Sequence, residues 1–284
     1  MPTIEKQVAK PRPTIRPKVE SESAWDFLEG VKQIVYGQPA SGKTSYWATF
    51  DGPILACICS GGNKSGELKS VNTPEYKKKI DARIISNMGR LEEIIVEEAQ
   101  NYTTVVIDHM TALQDVALRE VLGLDELPVS KMFGLARIQD YQAAADRCKK
   151  ITKKLLELPA NIVVVTQERT YTPKDLEENS DVLFTTIGPS LFPKLAEWVM
   201  PLFDFVNQIY VRPRVIEETK EVKIGKETHM VTTRKRIKGE FDHCLRSGKH
   251  DIYVSKFRKS DKTKILPECI VDPDYTKLLE LSNS

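Results

Sequence analysis

Gly37-Gln38-Pro39-Ala40-Ser41-Gly42-Lys43-Thr44, followed by Ser45, is the stretch on which the reading of the whole chain turns. It satisfies G-x-x-x-x-G-K-[S/T] at every defined position. It also lies where that pattern needs to lie, between an apolar run over residues 31–36 and a helix predicted over residues 43–50. In such a loop, backbone N–H groups and the positive end of the helix surround phosphate, and glycine lets the backbone approach closely. Lys43 brings a compact charge to the β and γ phosphates, and the Thr44 hydroxyl is a magnesium ligand. The expected ligand is ATP with Mg2+, held by residues 37–45.

A phosphate loop also needs a carboxylate across the metal, at the end of a neighbouring buried strand. Val105-Val106-Ile107-Asp108 supplies one where the apolar run stops, so Thr44 and Asp108 are the expected metal residues. The competing reading makes Asp108 the cap of a helix that starts near Met110. His109 follows, so an Asp-Glu pair is absent. Gln167 ends the apolar run over residues 161–167, at the edge where open parallel sheets bind ligands, and suits a γ-phosphate sensor.

Outward from these motifs, apolar runs over residues 53–59, 103–108 and 161–167 alternate with helical patterns over 90–100 and 135–158. A short strand is expected over 83–86, a polar mobile loop over 168–188 and a helix over 190–203. Strands apolar on both faces and interleaved with helices mean an α/β fold with a mostly parallel central sheet. Residues 205–215, 220–224, 229–236 and 252–256 read as strands or hairpins, an antiparallel β extension added to that sheet. The expected organisation is a disordered arm over 1–23 and one domain over 24–284, its core about 30–188 and a β-rich basic part about 189–284.

Composition sets few limits: 284 residues, 29% charged, and a formal net charge of +2. What matters is where the positive charge sits. Five scattered cysteines show no C-x-x-C spacing, which argues against a disulfide framework or a zinc site; His243 beside Cys244 matches no zinc pattern either. No secretion signal or membrane-spanning run is read, so a cytoplasmic protein is expected.

The phosphate loop, Pro53-Ile-Leu-Ala-Cys-Ile-Cys59 with the Ser60-Gly-Gly that follows, Thr103-Thr-Val-Val-Ile-Asp-His-Met-Thr-Ala-Leu113 and Val163-Val-Val-Thr-Gln167 together resemble RecA-like ATPases. The likeness is to the small bacteriophage members linked to single-strand annealing and recombination, and it spans about residues 30–280. It continues into Val254-Ser-Lys256-Phe-Arg258-Lys259, which looks like the family's basic stretch near the C-terminus. The resemblance implies a RecA-like P-loop core, a ring or filament of copies with nucleotide between neighbours, and Lys256 and Arg258 reaching the γ-phosphate of the adjacent subunit. The other reading of that pair is solvated charge on a strand. The family commonly carries a water-activating Glu after the second strand. Here Ser60 stands at that position and is no comparable base; Glu67 and Glu168 are the nearby candidates to replace it.

Late in the chain, Arg212, Arg214, Arg234, Lys235, Arg236 and Lys238 fall on the expected hairpins, with Tyr210, Phe241, Tyr253 and Phe257 interleaved. Basic and aromatic residues so mixed suit single-stranded nucleic acid, while Glu217, Glu218 and Glu240 dilute the charge toward a solvated face. The resulting expectation is a Mg-dependent ATPase acting on single-stranded DNA. A P-loop helicase or helicase loader, or a nucleotide-gated interaction module with little hydrolysis, are the alternatives.

Overall fold

The computed structural model describes residues 30–59, 68–124, 136–172, 185–224, 227–261 and 263–283. The arm expected over residues 1–23, Ser60 and Glu67 lie outside these. In chain order the elements are β1 (Lys32–Gly37), α1 (Lys43–Trp47), β2 (Ile54–Ile58), α2 (Pro74–Lys79), β3 (Ile80–Ile84), α3 (Met88–Glu97), β4 (Thr104–Asp108) and α4 (Met110–Leu122). There follow α5 (Ile138–Leu156), β5 (Asn161–Tyr171), β6 (Thr186–Pro189), α6 (Pro193–Val199), β7 (Phe205–Ile224), β8 (Glu227–Arg246), β9 (Lys256–Phe257), β10 (Cys269–Val271) and α7 (Tyr275–Asn283).

Every residue of β1, β2 and β4 is buried. A strand buried on both faces needs cover on both faces, which a parallel sheet between helical layers provides. β1, Ile34 and Tyr36 pack into one apolar layer with residues of α3, α4, α5 and α6. Val35 points to the other layer, with Tyr46 and Trp47 of α1 and Leu278 of α7. α5 shows how this cover is encoded: Ala144, Ala145, Cys148, Ile151, Thr152 and Leu155 are buried at helical spacing, while Lys150 and Lys153 are exposed.

The sheet order is β10-β8-β7-β1-β5-β4-β2-β3, with β6 beside β5 and β9 beside β7. From β7 at Phe205–Gln208 through β1, β5, β4 and β2 to β3 the pairing is parallel. β5 is inserted between the strand that feeds the phosphate loop and the strand that ends in Asp108. The expected α/β core with a mostly parallel sheet and added antiparallel strands is therefore the fold observed.

Several local expectations need correction. β5 does not stop at Gln167 but runs to Tyr171, because β6 pairs with Glu168–Tyr171 from the far side of the expected loop. That loop, over residues 168–188, is strand at both ends, and its residues 173–184 lie outside the described residues. The short strand expected over 83–86 is β3, which starts and ends earlier. The separate hairpins expected over 205–236 are two long strands, β7 and β8, paired from Ile209–Leu245 outward with one irregularity between Pro213 and Val215. Charged residues such as Glu217, Glu218, Arg234 and Lys235 interrupt the apolar pattern along both, so each reads in sequence as broken pieces. The helix expected over 190–203 is shorter, since Pro193 opens it and Pro201 falls in the 3-10 turn that follows. Among the described residues no helix is long and apolar enough to cross a membrane.

Candidate nucleotide site

β1 delivers the chain into the loop at Gly37, and nothing larger fits there. A Cβ at Gly37 would lie 2.2 Å from the backbone oxygen of Ile209 on β7. Ala40 and Gly42 both have positive φ, 62° and 97°. Gly42 caps α1, and a Cβ on it would meet His243 Nδ1 at 2.9 Å. His243 Nδ1 also lies 3.0 Å from the Ser41 backbone oxygen, so β8 braces the loop from outside. The Ser41 hydroxyl is buried, with no hydrogen-bond partner among the described residues. A tight glycine loop with an unsatisfied buried hydroxyl fits a site built for an oxygen-rich ligand.

Lys43 folds back over this loop, its Nζ donating to the carbonyls of Gly37 at 2.9 Å and Gln38 at 2.7 Å. Burial pulls its pKa down, and the charges of Asp108 and Glu168 oppose that pull. An arriving phosphate would replace carbonyl dipoles by full negative charge, a stronger partner for an ammonium.

Asp108 is 5% exposed at the end of β4. Trp47 Nε1 donates to its Oδ2 at 2.9 Å, and the Thr44 side chain also hydrogen-bonds it. Burial pushes the carboxyl upward; Trp47, His109, Lys43 and Thr44 hold it down. The hydroxyl of Thr44 and the carboxylate of Asp108 thus meet as hard oxygen donors, the type magnesium selects when it also uses substrate phosphates. The residues present fit the metal. Asp108 is not the cap of α4: His109 fills that place, its Nδ1 accepting from the Ala112 N–H at 3.0 Å.

Gln167 is paired in register with Gly37, half-buried beside the loop, and its N–H donates to Thr111 Oγ1 at 3.1 Å. Glu168, one of the two candidate bases, stands next to it; what sequence reasoning missed is its partners. Glu168 Oε1 accepts from Gln38 Nε2 at 2.6 Å and Oε2 from Gln208 Nε2 at 2.8 Å. Gln208 Oε1 in turn accepts from Arg246 Nε at 3.1 Å. The Arg246 guanidinium is buried between the rings of Tyr210 and Tyr253, at 4.8 and 4.6 Å. These residues line a cavity of about 440 Å³ against residues 38–41.

The other expected site residues are elsewhere. Lys256 opens β9 and Arg258 follows it; the strand pairs with the start of β7 at Phe205 and Val206, level with Gln33 and Ile34 of β1. That is the end of the sheet opposite the loop of the same chain. Lys256 Nζ donates to the carbonyls of Pro201 at 2.7 Å and Phe203 at 2.5 Å, and Arg258 pairs with Asp204 at 2.7 Å. The aromatic residues expected to stack on bases are mostly engaged: Tyr210 and Tyr253 on Arg246, and Phe257 on Phe205 at 4.8 Å. Phe241 is exposed. Along the hairpin, Arg212 and Arg214 pair with Asp242, Arg234 with Glu217, and Lys235 with Glu218.

Fold and loop together define a P-loop nucleotide-binding protein with a mostly parallel central sheet. More particularly, the chain belongs to the AAA domain family, whose model matches residues 29–239. No curated protein matches. Solved structures are similar at low identity. One is a KaiC-like protein from the hyperthermophilic archaeon Pyrococcus horikoshii OT3, with 15% identity and a TM-score of 0.38, covering 76% of this chain and 85% of that one. Another is the RadB recombinase, with 13% identity and a TM-score of 0.40, covering 76% of this chain and 87% of that one.

Proposed function

We propose that this protein is a magnesium-dependent ATPase that assembles as a homo-oligomer on single-stranded DNA, in recombination or annealing of the bacteriophage type. The observation that carries the ATPase part is the meeting of Thr44 and Asp108 under Trp47, beside Lys43 and a loop that tolerates no side chain at Gly37. Magnesium, when bound with the nucleotide, would supply charge neutralisation between the β and γ phosphates. Thr44 and Asp108 would hold it there. Lys43 binds and orients the terminal phosphates, Gln167 stands beside the loop to sense the γ-phosphate, and Trp47 fixes the Asp108 carboxylate.

The DNA part rests on the resemblance and on the long hairpin of β7 and β8, with Arg236 and Lys238 on its exposed strand. One observation favours the second reading, a nucleotide-gated interaction module: Arg212, Arg214, Arg234 and Lys235 are each matched by an acid on the neighbouring strand. Turnover by the purified protein with and without single-stranded DNA separates the two. DNA-stimulated hydrolysis supports the first reading; tight ATP binding with no hydrolysis and no DNA effect supports the second.

A further inference from the structure

Hydrolysis requires a base for the attacking water, and the residue at the family's position for it is Ser60, a poor base. Asp108 is taken up by Trp47 and Thr44 and buried. Glu168 is half-buried at the rim of the cavity that opens beside residues 38–41. Its carboxylate spans the C-terminal end of β1, from Gln38 in the loop to Gln208 on β7. Each oxygen accepts an amide N–H, and an ionised carboxylate oxygen has room for a further donor, so a water can still be held. The side chain is also fixed in place. Gln208 is anchored by Arg246, and Arg246 is clamped between Tyr210 and Tyr253. A surface glutamate would have no such support, and precise support from neighbours is what a working catalytic group needs. Lys43 feels the charge of Glu168 as well as that of Asp108, which ties the carboxylate to the phosphate-binding ammonium.

We propose that Glu168 is the general base of this ATPase, with Gln208 and Arg246 as its positioning residues; the inference rests on the ATPase reading above. In the step, the water oxygen bonds to the γ-phosphorus while its proton passes to a Glu168 oxygen. The bond from the γ-phosphorus to the bridging oxygen breaks, and its electron pair leaves with ADP. The proton is then released from Glu168 to solvent. Among the described residues, the charged and titratable groups around the carboxylate are Lys43 in the loop, Tyr36 on β1, Tyr210 on β7, Arg246 on β8 and Tyr253. None of them replaces it as an anionic acceptor at neutral pH.

The test compares full-length wild type, Glu168→Gln, Gln208→Leu and Lys43→Ala, reading affinity for a fluorescent ATP analogue and single-turnover hydrolysis across pH. Glu168→Gln should bind the analogue as wild type does and lose about 10²–10⁴-fold in hydrolysis, the usual size of a base contribution. Its acid limb should vanish. Gln208→Leu removes an N–H donor from the carboxylate, which favours the protonated form, so its acid limb should move to higher pH. A purely structural glutamine would leave that limb in place. Hydrolysis by Glu168→Gln near the wild-type rate, or an unmoved limb in Gln208→Leu, would each overturn the assignment to Glu168. Wild type that binds ATP but never hydrolyses it would overturn the ATPase reading. Failure of wild type to bind ATP more tightly than Lys43→Ala would overturn the ATPase reading itself.

Discussion

Trp47 and Asp108 form a buried hydrogen bond of 2.9 Å between the indole N–H and a carboxylate oxygen, joining α1 to the end of β4. Trp47 is one turn after Thr44, so the same short helix presents both a hydroxyl and an indole to one carboxylate. A donor to a charged group contributes about 1.5–3 kcal/mol, and its loss leaves the acceptor buried and under-satisfied. Trp47→Phe should therefore destabilise the protein by roughly 2 kcal/mol in urea unfolding. It should also weaken the magnesium dependence of ATP binding, since the freed carboxylate is less ionised and less well aimed. Unchanged stability and an unchanged magnesium titration would mean that the indole only fills space.

Gly42 and Gly37 should fail in different ways. Alanine at Gly42 must hold a left-handed backbone, which costs about 1–2 kcal/mol, and its Cβ meets only a histidine ring that can move. Alanine at Gly37 meets a backbone oxygen of β7 at 2.2 Å, so the sheet itself must give way. Thermal melts should show a modest loss for Gly42→Ala and a larger one for Gly37→Ala. Titration with the ATP analogue should show weakened binding in both.

Lys32 gives the protein a dependence on alkaline pH. Its ammonium is buried at the far end of β1, donating to the carbonyls of Leu158 at 2.8 Å and Ala160 at 2.6 Å. Burial lowers its pKa to about 8, with Asp204 opposing. Below pH 8 both folded and unfolded chains carry the proton. Between pH 8 and the unfolded value of 10.5 the unfolded chain binds it more tightly, so this group adds stability as pH rises. The gain is at most about 1.4 kcal/mol per pH unit in that window. In urea unfolding at pH 7, 8, 9 and 9.5, wild type should gain on Lys32→Met above pH 8; parallel curves would refute it.

Lys256 and Arg258 can meet a P-loop only on another copy, because on their own chain β9 carries them at the opposite end of the sheet. If they act there, Lys256→Ala/Arg258→Ala should bind ATP and hydrolyse it poorly. Mixing it with Lys43→Ala should restore part of the activity, since a mixed interface joins an intact loop to an intact basic pair. If every mixing ratio stays inactive while the variants remain assembled, the pair has no role across the interface. Its carbonyl and Asp204 contacts would then be its whole role, and the double variant should melt lower.

The sequence by itself determined the parts whose cause is local. Residues 37–45 carry their backbone requirements in their own glycines and lysine, and the strands ending in Gly37 and Asp108 announce themselves as apolar runs that stop at a functional residue. The tertiary structure decided everything that depends on strand order. β5 continues past Gln167 only because β6 is there to pair with it, a partner that no property of Glu168–Tyr171 foretells. Glu168 meets Gln38 and Gln208 because β5 and β7 flank β1, and His243 meets Ser41 across 202 residues of chain for the same kind of reason. Tyr210 and Tyr253 read as part of a surface suited to nucleic acid, yet they close on Arg246 beside a cavity at the loop. Periodicity tells which face of a strand is buried; which strand lies beside it is settled by the packing of the whole sheet.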